Sequence, residues 1–245
     1  MACSKMDIST RYNIYDTTQC IDVKRDRTYV ISGITEGGKS IILLDMISRG
    51  MYRVDKEGKP DPRWSRIFFL SPTVNLQNTF NGLPNEFKFT DPSEYLGIIE
   101  KVLKVQGDRI KKYGKHNVPS VLIVIDDCLG KIPRSDLIDE MVSSGRHYNT
   151  TCIILTQNIK SKFTPPCLRE NMVYAIMGVG TEKKEVMRLI PGGTNREKED
   201  YIDRAWNEPY RYIIYNKSPD IGCGRLFLLQ VDMKKLIKKF RVVLN

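Results

Sequence analysis

Tyr29-Val30-Ile31-Ser32-Gly33-Ile34-Thr35-Glu36-Gly37-Gly38-Lys39-Ser40-Ile41-Ile42-Leu43-Leu44-Asp45 reads as an apolar strand, a glycine-rich turn and the start of an apolar helix. Its centre, Gly33 to Ser40, has the spacing G-x-x-x-x-G-K-[ST] of a phosphate-binding loop. Gly33, Gly37 and Gly38 can take backbone angles that a Cβ forbids, so the loop amides can turn inward around an anion. The helix beginning near Lys39 presents unpaired N–H groups and its positive end to the same anion. Gly33, Ile34, Thr35, Glu36, Gly37, Gly38, Lys39 and Ser40 are therefore the expected nucleotide-binding residues. Lys39 would reach the β- and γ-phosphates of ATP, and the Ser40 hydroxyl would hold Mg²⁺. Glu36 is the awkward member, a carboxylate in a loop built for anions. It must point away from the phosphates or meet a cation, which a second subunit would be able to supply.

Downstream, Val121-Leu122-Ile123-Val124-Ile125 is a continuous apolar run ending in Asp126-Asp127. Such a run suits a strand covered on both faces of a parallel sheet. Its two carboxylates fall at the carboxyl edge, where ligands of such sheets sit. Asp126 is expected to serve Mg²⁺, and Asp127 to polarise an attacking water as catalytic base. A further strand, Thr151 to Thr156, ends at Gln157. If parallel to its neighbours, it brings Gln157 to the same edge as Asp126, where it would sense the γ-phosphate or position water. Arg146 comes eleven residues earlier, near the opposite edge. At ~3.3 Å per strand residue it is over ~20 Å from its own nucleotide. It is either a surface arginine at a helix end or an arginine finger supplied in trans to a neighbour in a ring.

The other apolar runs predict strands at Arg66–Leu70, Glu86–Phe89 and Met172–Met177, a closing hairpin at Arg211–Tyr215 and Arg225–Val231, and a short strand around Gln19–Val23. A helix from Lys39 to about Ser48 is expected to stop at Gly50. Ser93 is the expected N-cap of a long helix whose apolar face is Leu96, Ile99, Leu103, Gln106 and Ile110. That helix also carries Lys101, Lys104, Arg109, Lys111 and Lys112, with Lys115 just beyond, either a solvated face or one that touches DNA. Helices are expected at Asp136–Gly145, from a Thr181 cap to Ile190, and over Arg196–Asn207. A single domain, 1–245, is expected, with its core at about 28–180 and a C-terminal extension over 181–245.

The chain has 245 residues, 41% of them hydrophobic and 28% charged, which is the composition of a globular protein with a substantial core. Its 39 basic and 29 acidic residues give +10, an excess that favours polyanions as partners. No apolar run approaches the ~20 residues that span a bilayer, and the N-terminus lacks the apolar core of a signal peptide. Six cysteines without C-x-x-C spacing and only two histidines point to reduced thiols in an intracellular protein and away from a zinc site.

Asp126-Asp127, then Gly145-Arg146-His147-Tyr148-Asn149-Thr150-Thr151-Cys152-Ile153-Ile154-Leu155-Thr156-Gln157, resemble the genome-packaging ATPases of virophages, poxviruses and other large DNA viruses, within the FtsK–HerA superfamily. Ile67-Phe68-Phe69-Leu70-Ser71-Pro72 is similar to the strand between the two Walker motifs of that family. The resemblance covers about residues 28–180. It implies an α/β, RecA-like (ASCE-type) P-loop NTPase, its mostly parallel central sheet covered by helices on both faces, with an extra strand between the two nucleotide-binding strands. It implies an ATP- and Mg²⁺-dependent motor, a hexameric or pentameric homo-oligomeric ring. The ring would move double-stranded DNA into a preformed capsid, in contact with a capsid or packaging-vertex protein. The host-cell cytoplasm at the assembly site, or the virion, would be its location. Within the family pattern Lys39 and Ser40 match the phosphate and Mg²⁺ ligands, Asp126 the Walker B acid, Gln157 the sensor and Arg146 the trans finger. Asp127 stands where many relatives carry glutamate, and Glu36 where small residues are usual. Two other classes fit the phosphate loop. A small-molecule kinase would need an acceptor pocket and a lid, for which Arg196 and Arg204 are available. An ATP-dependent assembly switch would follow if Asp127 is too short to drive turnover.

Overall fold

The computed structural model describes residues 14–15, 21–126, 135–157, 166–190, 192–217 and 225–232. The apolar runs become strands β1 (Ile14–Tyr15), β2 (Thr28–Ser32), β3 (Arg66–Leu70), β4 (Lys88–Phe89) and β5 (Val121–Asp126). They continue as β6 (Thr150–Thr156), β7 (Met172–Met177), β8 (Arg211–Asn216) and β9 (Arg225–Gln230). All join one sheet in the order β1-β9-β8-β7-β2-β6-β5-β3-β4. Neighbours are parallel throughout except that β8 runs antiparallel to both β7 and β9. β6 lies between β2 and β5, the extra strand that the resemblance implies.

Among the described residues six helices accompany these strands: α1 (Lys39–Met51), α2 (Tyr95–Tyr113), α3 (Asp136–Ser144), α4 (Pro166–Asn171), α5 (Lys183–Leu189) and α6 (Asn195–Trp206). Alternation along the strands divides the core in two. Leu122 and Val124 of β5 join Tyr29 and Ile31 of β2 and the apolar residues of α1 on one face. Ile123 and Ile125 join Val30, Ile99 of α2, Met141 of α3 and Ile202 of α6 on the other. Burial on both faces is why these strands read as unbroken apolar runs. Each large aliphatic side chain buried this way contributes roughly 1.5–3 kcal/mol.

Several boundaries differ from the sequence reading. Gly50 is not a C-cap but lies inside α1, where a Cβ would fall 2.1 Å from the ring of Trp64. Glycine is there to admit the indole, which is buried and donates from Nε1 to Thr151 Oγ1 at 2.9 Å. Ser93 is not the cap before α2; Asp91 accepts from the Ser93 N–H at 2.9 Å and opens a 3₁₀ turn leading into the helix. Thr181 does not cap α5, because its hydroxyl is engaged by Ser32 Oγ at 2.9 Å. Ile21–Val23 form no strand, and Gln19 and Cys20 lie outside the described residues. Leu96 and Ile110 are only partly buried; Tyr95 and Val102 take their places in the core.

Candidate nucleotide-binding site

Strand register fixes which residues meet. Ser32 of β2 pairs with Thr156 of β6 and with Met177 of β7. Asp126 of β5 pairs with Leu155, and Leu70 of β3 with Ile125. The carboxyl ends of five parallel strands therefore lie nearly level, and the loops leaving them converge.

The phosphate loop occupies the centre of that edge. Gly33 takes φ 149°, a left-handed value that favours glycine, and donates to Thr156 O at 3.3 Å. Ile34 N–H donates to Val179 O at 2.8 Å, tying the loop to the chain after β7. Gly38, at φ 97°, is the N-cap of α1. Glu36 is exposed and stands at φ 60°, a conformation that disfavours a side chain by roughly 1–2 kcal/mol. Lys39 is buried, and its ammonium donates to Gly33 O at 2.9 Å and Ile34 O at 2.7 Å. The charge thus lies in the cradle of the loop, beside the first amides of α1.

A chain of polar side chains joins the two expected Mg²⁺ ligands. Ser40 Oγ donates to Gln77 Oε1 at 3.4 Å, and Gln77 Nε2 donates to Thr73 Oγ1 at 2.9 Å. Thr73 Oγ1 is 3.3 Å from Ser71 Oγ, which donates to Asp126 Oδ2 at 3.4 Å. Asp126 is buried. Ser71, Thr73 and Gln77 all follow β3, the strand beside β5. Hydroxyl, amide and carboxylate oxygens of this kind are the hard donors that suit Mg²⁺, so the donor set fits the ion. Sequence reasoning missed these three residues. Ser71 and Thr73 had a signal, as polar residues directly after a buried strand; Gln77 had none.

Gln157 is exposed at the end of β6, with Nε2 3.4 Å from Thr35 Oγ1 of the phosphate loop. Asp127 lies outside the described residues. Arg146 is exposed in the 3₁₀ turn Gly145–Tyr148 that precedes β6. The seven residues of β6 separate it from Gln157 by roughly 23 Å at ~3.3 Å each. Lys39, Ser40, Asp126 and Gln157 are thus brought to one edge, and Arg146 is held at the other.

The C-terminal hairpin also reaches the loop. β8 runs backwards, so its first residues lie at the carboxyl edge of the parallel strands. Tyr212 Oη donates to Gly37 O at 2.6 Å, and its ring fills the space where a Cβ on Gly178 would lie, 2.6 Å away. Burial pushes the phenol well above its ordinary range, so it stays a proton donor at neutral pH. Burial likewise pushes the Cys152 and Cys167 thiols up to about 12, leaving both neutral.

No family model matches the chain, and no curated protein matches it by sequence. Solved structures do. The DNA-packaging ATPase B204 of Sulfolobus turreted icosahedral virus superposes with TM-score 0.50 at 15% identity, over 82% of this chain and 97% of that one. The pCW3 conjugation coupling protein TcpA, bound to ATPγS, gives TM-score 0.58 at 13% identity, over 91% of this chain and 66% of that one. EssC (ATPases 2 and 3) of Geobacillus thermodenitrificans gives 0.56 at 13% identity, over 89% of this chain and 43% of that one. At such identities the likeness is one of fold. The resemblance to genome-packaging ATPases read from the sequence therefore holds at that level: the chain has the RecA-like P-loop ATPase fold.

Proposed function

We propose that this chain is a Mg²⁺-dependent ATPase that drives translocation of double-stranded viral DNA into a preformed capsid. The observation that carries the reading is the convergence of Lys39, Ser40, Asp126 and Gln157 on one sheet edge, around a phosphate loop tied to strands on both sides. Loop amides and the amino end of α1 bind the triphosphate, and Lys39 exchanges its two carbonyl partners for phosphate oxygens. Ser40 and Asp126 would hold Mg²⁺, which would supply positive charge beside the phosphates. Asp127, next in the chain after Asp126, draws the proton from the attacking water. Gln157, against Thr35, orients that water or registers the γ-phosphate. Arg146, too far from its own site, completes the site of the next subunit in a homo-oligomeric ring. The viral packaging ATPase among the structural neighbours supports DNA as the substrate that is moved, as does the +10 charge. A capsid or packaging-vertex protein is the docking partner, at the assembly site in the host-cell cytoplasm.

The test is ATP hydrolysis by the purified protein, with and without long double-stranded DNA, at low and moderate salt. DNA stimulation that fades with salt is expected, together with a loss of turnover on the order of a hundredfold or more in Lys39→Ala with the fold intact. Turnover indifferent to DNA, with phosphate passed to a nucleoside, would replace this reading with a kinase. ATP binding without turnover in any assembly state would replace it with a switch.

A further inference from the structure

At the margin of the sheet, away from the phosphate loop, α2 and β3 enclose a groove of about 570 Å³. Phe68 and Phe89 form its floor, their rings stacked with centroids 6.1 Å apart. Ile98, Val102 and Val105 of α2 form its wall. These three recur at i, i+4 and i+7, a stripe that starts from the buried core face at Val102 and reaches solvent at Val105. Val105 is 45% exposed. Arg66, Lys101 and Arg109 also line the groove, and no carboxylate does. All three cations are exposed, and none forms an ion pair among the described residues. One backbone feature completes the picture. β4 pairs with β3 only at Phe69 and Leu70, so the outer edge of Arg66–Phe68 has no strand partner among the described residues.

An apolar floor, a rim of one charge and a strand edge met only by the 3₁₀ turn Asn85–Phe87 among the described residues together select a particular occupant. We propose that the groove binds an extended acidic peptide segment of a partner protein, added as a strand beside Arg66–Phe68. Strand addition supplies main-chain hydrogen bonds, and alternate side chains then fall into or out of the groove. The inward set would be apolar, against Phe68, Phe89 and Val105. Carboxylates would meet Arg66, Lys101 and Arg109. Duplex DNA fits the charge but not the shape, because its convex phosphate backbone has no use for a concave apolar floor. On α2 the cations best placed for nucleic acid are Lys104 and Lys111, which helical spacing puts on the far side from the groove. The chain's own C-terminal segment is repelled, since it carries Lys234, Lys235, Lys238, Lys239 and Arg241. The inference concerns a partner surface and does not depend on ATP hydrolysis.

The experiment is fluorescence anisotropy on the full chain, with a labelled short peptide that alternates aspartate with valine and phenylalanine. A peptide with lysine in place of aspartate and an unlabelled DNA duplex serve as comparisons. Saturable binding of the acidic peptide is expected, weakened about tenfold by Arg109→Glu and by Val105→Asp and unchanged by Lys104→Glu. Lys101→Glu, at an exposed position, repeats the charge test should Arg109→Glu fold poorly. Hydrogen exchange should slow at residues 65–68 when the acidic peptide binds. Equal binding of both peptides, absence of saturable binding, or protection elsewhere would overturn the proposal. So would displacement of the peptide by duplex with the same dependence on Arg109 and Val105, which would assign the groove to nucleic acid.

Discussion

The candidate site at the carboxyl edge and three arginines at the amino edge and margin of the sheet are held in opposite ways. At the carboxyl edge polar side chains satisfy one another: Lys39 donates to loop carbonyls, Tyr212 to Gly37, and Ser71, Thr73 and Gln77 link Asp126 to Ser40. At the amino edge and the adjacent margin, Arg146, Arg66 and Arg109 are exposed and have no ion-pair partner among the described residues. A preorganised site holds its groups in place before the ligand arrives, which is what electrostatic catalysis needs. Cations left exposed are instead available to something outside the chain. The difference predicts that carboxyl-edge substitutions act within a subunit, and amino-edge substitutions act between molecules.

Arg146 gives the largest effect. On the proposed ring, with Arg146 acting in trans, Arg146→Ala should lower ATP turnover on the order of a thousandfold. Its melting temperature should hold, because the side chain is exposed and has no ion-pair partner among the described residues. Mixing Arg146→Ala with Lys39→Ala subunits should restore part of the turnover, each supplying what the other lacks. Absence of rescue would break the distinction between edges. Gln77→Ala comes next. It removes the link between Ser40 and Thr73, and should weaken Mg²⁺-dependent binding of a fluorescent ATP analogue by about tenfold while leaving Mg²⁺-independent binding unchanged. A uniform loss would make Gln77 a packing residue only.

Tyr212→Phe should raise KM for ATP about fivefold with little change in kcat, the value of one net hydrogen bond of about 1 kcal/mol. An unchanged KM would separate the C-terminal hairpin from the site. The last effect concerns the core and is absent at neutral pH, appearing only in alkali. The Cys152 thiol has its pKa raised from 9.0 to about 12 by burial. Its neutral form is favoured in the folded state, so the stabilisation is full below pH 9 and is lost as pH rises from about 9 towards 12. Cys152→Ser or Cys152→Ala should flatten that alkaline fall in melting temperature, measured against the parent chain.

Much of this was legible because it is local. Gly33 to Ser40 specify a loop through neighbouring backbone angles, and the apolar runs at Val121–Ile125 and Thr151–Leu155 specify strands buried on both faces. Gln157 was readable because it directly follows such a run. Helix ends were less so: Asp91 takes the cap expected of Ser93, and Gly50 answers to Trp64, a residue of the next loop whose ring only the fold brings near.

The sequence by itself determined the glycine-rich loop, the identity of most strands and the candidate residues for ATP and Mg²⁺, because each is written in contiguous residues whose backbone preferences act at short range. Only the tertiary structure decided that Gln77 meets Ser40, that Tyr212 holds Gly37 from 175 residues away, and that Arg66 and Arg109 border one groove. Those meetings depend on strand order, on level strand ends and on the reversal of β8. They arise from packing two apolar faces against one sheet, and no local spacing encodes them.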